Sequence, residues 1–338
     1  MYVSERLSVA DFQWQFRWCW RGSSLIKVIE MASRSSDVAY LDQISIRGAK
    51  LAYKDTGKDT GKGENLVLVH ANISDIRSWD PIAPLLASEF RVIVYSRRYA
   101  WPNDEIVDGV ADPWEDHADD LAEMMENLGI AQAHILGNST GATVALLLAR
   151  RRPHMVKTLI LEEPPLITLF LPTTPPSLTD VARLLWLHPW SFLPTMNFGA
   201  TVVGPTTSAF KRGDNETALK VFSRGVLGPD FDKRLSQERR KQMRDNFKPH
   251  RALLCYGELP KFLDADVERI QMPVLVLTGM NTATSQLHIN RRLAVLLPDV
   301  EEVEIQGASH LMHEDQPEDV VRAIIRFVAS VGSRATDM

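Results

Sequence analysis

His134-Ile135-Leu136-Gly137-Asn138-Ser139-Thr140-Gly141-Ala142 joins a short apolar run to a helix-forming run at residues 142–150 through Gly-x-Ser-x-Gly. A strand that must turn at once into a helix puts the residue at the bend in a strained conformation. Glycine on either side is then required, because a Cβ at those positions would strike the neighbouring backbone. The serine is left exposed at the bend, and the amino terminus of the helix points free N–H groups at any negative charge that develops beside it. A chance loop of small residues is the competing reading, and the apolar runs on both sides argue against it.

Outward from this stretch, the runs Leu66-Val67-Leu68-Val69, Val92-Ile93-Val94-Tyr95, Leu159-Ile160-Leu161 and Val274-Leu275-Val276-Leu277 are short, nearly continuous and mostly aliphatic. Such runs suit strands buried on both faces. Ile44-Ser45-Ile46 and Leu51-Ala52-Tyr53 read as two edge strands, residues 55–64 as a surface loop, and Val303-Glu304-Ile305 as a last strand. Val320, Ile324, Phe327 and Val328 recur at helical spacing and predict a helix that covers the sheet. Alternation of these strands with helical stretches predicts an α/β fold with a mostly parallel sheet and helices on both faces. About 110 residues separate the Leu159 and Val274 strands, against the roughly 10 to 12 that one crossover needs. The excess opens with Pro164-Pro165 and Pro172-Thr173-Thr174-Pro175-Pro176 and continues with helical patterns at 178–187, 208–224 and 233 to about 246. We read residues 166–250 as a helical cap over the carboxyl edge of the sheet, where open α/β sheets bind ligands. Residues 42–165 and 251–338 are then the core, and 1–41 an extension.

The 338 residues, 45% of them hydrophobic, admit one large domain or two. Forty-three acidic residues against 38 basic ones give a net charge of -5, which argues against nucleic acid as a partner. Two cysteines, Cys19 and Cys255, do not make a disulfide scaffold and suit a reducing, cytoplasmic setting. No apolar run is long enough for a membrane span, and the first thirty residues lack the features of a secretory signal. Neither a His-Glu-x-x-His motif nor a Cys/His cluster is present, so no metal is expected. Gly61-Lys62-Gly63 lacks the following helix that would cradle phosphate, so no cofactor is expected either.

A serine is a poor nucleophile unless a base stands within hydrogen-bond reach. Of nine histidines, His310 in Gly307-Ala308-Ser309-His310 follows the last strand and emerges at the same sheet edge as Ser139. His313 is the runner-up; His134 and His154 read as structural, and His70 as shaping its loop. A buried carboxylate should hold the imidazole in the right tautomer. The loop after the Val274 strand, residues 279–285, contains none, whereas the strand after the nucleophile helix ends in Leu161-Glu162-Glu163-Pro164-Pro165. Successive strand residues face opposite ways. Glu163 is our choice as the nearer to the carboxyl edge, with Glu162 as the alternative and a solvated acidic pair as the bland reading. The amides of Thr140 and Asn72 are the expected oxyanion donors.

Taken together, His70-Ala71-Asn72 with Ser74 and Trp79, the helix opening at Asp116 to Leu121, Gly137-Asn138-Ser139-Thr140-Gly141 and Gly307-Ala308-Ser309-His310 resemble the α/β-hydrolase superfamily over roughly residues 42–330. The resembling branch has a lid and contains esterases, lactonases, C–C bond hydrolases, haloalkane dehalogenases and epoxide hydrolases. It implies an eight-stranded, mostly parallel sheet with the cap inserted after the strand that follows the nucleophile helix. Ala71 replaces the usual glycine of the His-Gly motif. The acid missing after the Val274 strand is similar to the dehalogenase arrangement, which favours Glu163. Dehalogenases and epoxide hydrolases of this fold use aspartate as nucleophile, so Ser139 argues against both.

The resemblance implies hydrolysis, or the reverse cyclisation, of an ester or lactone in a small apolar molecule, with secondary metabolism as the favoured setting. Cleavage of a C–C bond in a diketone and a slow-turnover ligand receptor are the alternatives. A small molecule is the expected partner, and a homodimer is left open. Tyr95-Ser96-Arg97-Arg98-Tyr99-Ala100-Trp101-Pro102-Asn103 stands where the family more usually has Asp-x-x-Gly. Tyr99 and Trp101 are candidates for the pocket mouth, together with His70, Ala71, Asn138 and the cap residue Trp186; arginines that merely fix the loop are the competing reading. The aromatic cluster from Phe12 to Trp20 reads as an added strand, an amphipathic arm or the product of a start upstream of Met31.

Overall fold

The computed structural model describes residues 40–57 and 63–336. The aromatic cluster from Phe12 to Trp20, Met31, Cys19 and the Gly61-Lys62 pair lie outside the described residues.

Each aliphatic run forms a strand. In chain order these are β1 (Asp42–Ile46), β2 (Ala49–Asp55), β3 (Glu64–Val69), β4 (Phe90–Tyr95), β5 (Ala133–Asn138), β6 (Val156–Glu162), β7 (Val274–Gly279) and β8 (Val300–Ile305). They make one sheet in the order β1-β2-β4-β3-β5-β6-β7-β8. β1 pairs antiparallel with β2, and β2 antiparallel with β4; every later pairing is parallel. Only β1 of the opening pair is an edge strand. β2 is paired on both sides, since its far end continues beyond the hairpin with β1 to reach β4.

The strand order places the site. From β3 the chain moves to β4 on one side and then crosses back to β5 on the other. The loops leaving β3 and β5 therefore diverge at the carboxyl edge and open a crevice there. Helix α1 (Trp114–Asn127) leads into β5, and α2 (Thr140–Arg151) leaves it. Ten consecutive residues of α2, Thr140 to Ala149, are buried. A helix with no polar face fits only between the sheet and other elements, and α2 packs against β5, β6 and α1. The last long helix, Pro317–Thr336, lies over β7 and β8, with Val320, Ile324 and Phe327 buried as their spacing predicts.

Between β6 and β7 the helices differ from the sequence reading. Leu178–Leu187 forms as predicted, begun by Ser177 and Asp180 in a reciprocal capping box. The single helix expected at 208–224 is two, Gly204–Lys211 and Asn215–Leu227. Gly213 turns the chain at φ 77°, and the Asp214 side chain accepts from the Thr217 amide to start the second helix. The pattern expected at 233–246 likewise splits into Phe231–Arg234 and Gln237–Asp245, with Ser236 capping the latter. Hydrophobic spacing runs on through both breaks, so the caps rather than the spacing carried the boundaries. Helices at Pro189–Phe198 and Phe247–Tyr256 were not anticipated, and the second passes through residue 250 without a break.

Candidate active site

Ser139 sits at the junction of β5 and α2 with φ 52° and ψ -116°, conformational strain stored where the strand turns. Its amide donates to the Glu162 carbonyl on β6 at 2.7 Å. A Cβ on Gly137 would stand 2.5 Å from the Ala142 backbone, and one on Gly141 would stand 1.9 Å from the Val69 carbonyl oxygen. Both glycines are thus dictated by close approach of backbone to backbone.

Glu163, fully buried at φ 50° just past β6, accepts from three donors. The His310 ring meets it through Nδ1 at 2.6 Å, the Thr282 hydroxyl donates at 2.7 Å and the Gly279 amide at 2.8 Å. The loop after β7, which carries no carboxylate of its own, supplies a backbone N–H and a hydroxyl to the carboxylate arriving from β6. Gly279 must be glycine for this, since a Cβ there would lie 2.3 Å from the Ser309 carbonyl. The loop bearing His310 is held by Asn138, whose side-chain amide donates to the His310 carbonyl at 3.1 Å, and by the Ser309 amide, which donates to Asp315 at 2.7 Å.

Glu162 points the other way. Its carboxylate meets Nδ1 of His313 at 2.6 Å, and the His313 ring packs 4.4 Å from that of Trp79. Burial draws the His313 pKa down, but the charge and hydrogen bond of Glu162, with Glu314 behind, outweigh it and raise it above the ordinary value. The two neighbouring glutamates and the two histidines three residues apart thus form separate pairs.

The loop after β3 is clamped by Arg97. Its guanidinium donates to the His70 carbonyl at 3.0 Å, the Ala71 carbonyl at 3.3 Å and the Asn72 side-chain oxygen at 2.7 Å. His70 completes the clamp, donating from Nδ1 to the Ala71 carbonyl at 2.7 Å and accepting the Arg97 amide at Nε2 at 2.8 Å. Burial, reinforced by the Arg97 charge, drives the His70 pKa well below the ordinary value and keeps the ring neutral.

Ser139, Thr140, Ala71, Asn72 and His310 line one cavity of about 190 Å³, walled largely by apolar side chains from the helices between β6 and β7. Five residues expected to touch substrate do not line it. His70 organises the β3 loop and Asn138 the His310 loop. Tyr99, at φ 65°, makes a turn, and Trp101 lies beneath the Arg77 guanidinium, 3.9 Å away. Trp186 is 85% exposed, because the apolar stripe of its helix reaches solvent rather than the cavity. Of the paired arginines, Arg97 donates to the His70 and Ala71 carbonyls and Arg98 pairs with Asp120 at 2.6 Å, and neither lines the cavity. Gly279 and Thr282 were missed; the only signal for them was the lack of a carboxylate between residues 279 and 285.

Among the described residues, no cluster of three or more metal-ligating side chains occurs, and no helix is long and apolar enough to cross a membrane.

A family profile described as alpha/beta hydrolase fold matches residues 64–317. A fluoroacetate dehalogenase from a Burkholderia species is 27% identical over 289 residues, covering 81% of this chain and 90% of that protein. A solved carboxylesterase from Bacillus subtilis superposes with a TM-score of 0.66 at 19% identity, covering 90% of this chain and 98% of the other. An enol-lactonase from Burkholderia xenovorans superposes with a TM-score of 0.64 at 17% identity, covering 85% of this chain and all (100%) of the other.

Proposed function

This chain belongs to the alpha/beta hydrolase fold family, and from that premise we propose that it hydrolyses an ester or lactone bond in a small, largely apolar molecule through an acyl-Ser139 intermediate. The observation that carries this reading is the buried Glu163–His310 hydrogen bond beneath a cavity that Ser139 also lines. With Nδ1 committed to Glu163, His310 keeps Nε2 as the base that takes the Ser139 proton. The freed oxygen attacks the substrate carbonyl, and the charge that forms on the carbonyl oxygen is met by the amides of Thr140 and Asn72. Collapse breaks the bond to the leaving alkoxide, which recovers the proton from His310. Water then enters, gives its proton to His310 and attacks the acyl carbon, and Ser139 leaves with that proton restored. Each oxyanion donor is worth about 3 kcal/mol in relatives of this chemistry, and the Arg97 clamp on the Asn72 loop supports that role.

In this reading the helices between β6 and β7 are a lid that keeps water from the acyl enzyme, and their apolar walls select an apolar acyl or alkyl group. A serine in the elbow forms a hydrolysable acyl ester, whereas an aspartate would form an alkyl ester. Because Ser139 stands at the elbow where the family resemblance implies an aspartate for dehalogenation, the similarity to a dehalogenase is not carried over to the reaction. Likeness to an esterase and a lactonase agrees with the proposal.

A fluorophosphonate probe tests it. Folded protein should be labelled on Ser139, located by peptide mass spectrometry, and Ser139→Ala and His310→Ala should lose turnover of p-nitrophenyl esters and simple lactones. Absence of label on folded protein would refute the covalent mechanism.

A further inference from the structure

His250, on the helix Phe247–Tyr256, is 2% exposed yet lines the cavity. The rings of Phe222 and Phe210 stand against it at 4.3 and 5.8 Å and fix its plane. Its protonation follows from its neighbours. Because Arg97 donates to the Asn72 side-chain oxygen, the NH2 end of that amide faces His250, 3.5 Å from Nδ1. An amide NH2 only donates, so Nδ1 is the unprotonated, accepting nitrogen. Burial pushes the His250 pKa down to about 3, so the ring is neutral and has a single N–H. That N–H is on Nε2, and among the described residues no acceptor reaches it. The Ser223 hydroxyl, also in the cavity wall, is likewise unpaired among the described residues. An unpaired buried donor costs roughly 1–3 kcal/mol, a cost relieved when an acceptor arrives.

We infer that His250 Nε2–H, with the Ser223 hydroxyl in the same cavity wall, is a specificity subsite that receives a second, uncharged oxygen of the substrate, a ketone, ether or ester oxygen borne on the group held in the cap. The assignment rests on the hydrolase reading for the word substrate. The donor itself is set by a relay from Arg97 through Asn72, the residue whose main-chain amide is assigned to the oxyanion, so the second oxygen would lie a few atoms from the reacting carbonyl. A neutral donor among phenylalanines suits a neutral acceptor. The Arg239 guanidinium also lines the cavity, but it is already paired with Glu314 and Gln242, so an incoming carboxylate would have to compete for that charge.

Two measurements test the subsite. The first compares kcat/KM for p-nitrophenyl levulinate and p-nitrophenyl pentanoate, which differ by one ketone oxygen, after correction for their alkaline hydrolysis rates. Wild type should prefer the levulinate by about 3- to 10-fold, the range of one neutral hydrogen bond. In His250→Phe the ratio should fall to about one, and His250→Gln, which keeps a donor, should restore part of it. A ratio unchanged in His250→Phe overturns the assignment. The second observes the imidazole resonances of nitrogen-15-labelled Ser139→Ala protein, without turnover. His250 should be the Nε2-protonated tautomer, and its N–H proton should shift downfield with methyl hexyl ketone but not with octane. An Nδ1-protonated ring, or equal response to both ligands, overturns it. If wild type cleaves neither ester and takes no fluorophosphonate label on Ser139 while the ketone still shifts the N–H, the hydrolase reading fails and the subsite stands.

Discussion

Replacing Glu163 by glutamine keeps the shape of the side chain and leaves it one accepting oxygen where two now serve three donors. Gly279 N–H, Thr282 O–H and His310 Nδ1 converge on the carboxylate at 2.8, 2.7 and 2.6 Å. Two placements of the amide compete. With its oxygen toward Thr282 and His310, its NH2 group would meet the Gly279 N–H, donor against donor in a buried site, at a cost of about 1–3 kcal/mol. With its oxygen toward Gly279, the NH2 group faces Thr282, whose hydroxyl can turn to accept, and His310, which can accept at Nδ1 if its proton moves to Nε2. The second placement leaves only the half-buried Thr282 hydroxyl proton to find a new acceptor and should win. It also removes the base, because a protonated Nε2 cannot take the Ser139 proton. A wrong tautomer of this kind costs on the order of 10⁴ in kcat, about 5.5 kcal/mol of barrier, with little change in thermal stability. Glu162→Gln disturbs only the pair with His313 and should leave kcat within about tenfold while lowering stability. The assay is initial-rate turnover of the best p-nitrophenyl ester, with a melting curve for each variant. Retention of activity within about tenfold of wild type by a folded Glu163→Gln, or an equal loss in Glu162→Gln, would refute the reasoning.

Gly141→Ala puts a methyl 1.9 Å from the Val69 carbonyl, with backbone on both sides and nothing flexible to yield; urea unfolding should show a loss of about 3 kcal/mol or more. Gly199→Ala, where a Cβ meets nothing within 4 Å, should instead stabilise by roughly 0.5–1 kcal/mol. On acidification, His250, with its pKa depressed to about 3 by burial, stays neutral in the fold while the unfolded chain takes up a proton near the ordinary value of about 6.5. Its contribution is therefore intact above about pH 6.5 and falls as pH drops below it, by about 1.4 kcal/mol per pH unit, continuing toward about pH 3. His70, lowered by burial and by Arg97, acts in the same direction. Urea midpoints between about pH 7.5 and 4.5 should thus decline less steeply in His250→Phe than in wild type, and parallel lines would count against a neutral buried ring.

What was legible in the chain was what local geometry dictates. The strands at Leu66, Val92, His134, Leu159 and Val274 could be read because a segment buried on both faces must be apolar throughout. The elbow at Ser139 could be read because Gly137 and Gly141 are demanded by the bend itself. His310 could be placed at the carboxyl edge from its position just after the last strand, and there it meets Glu163. Long-range pairing was not legible. Alternation along β6 establishes that Glu162 and Glu163 diverge, but not which histidine waits on each side, since that depends on a loop 147 residues from Glu163. For the same reason Gly279 and Thr282 gave no sign of serving a carboxylate from another strand. Arg97 could not be told from a pocket residue until Asn72 was seen to be its partner. Trp186 had the composition of a cavity wall, and only the packing of its helix decided that it faces solvent. Periodicity records which residues share a face of an element; what that face meets is decided by the tertiary arrangement, where His250 gains a donor that no stretch of sequence around it announces.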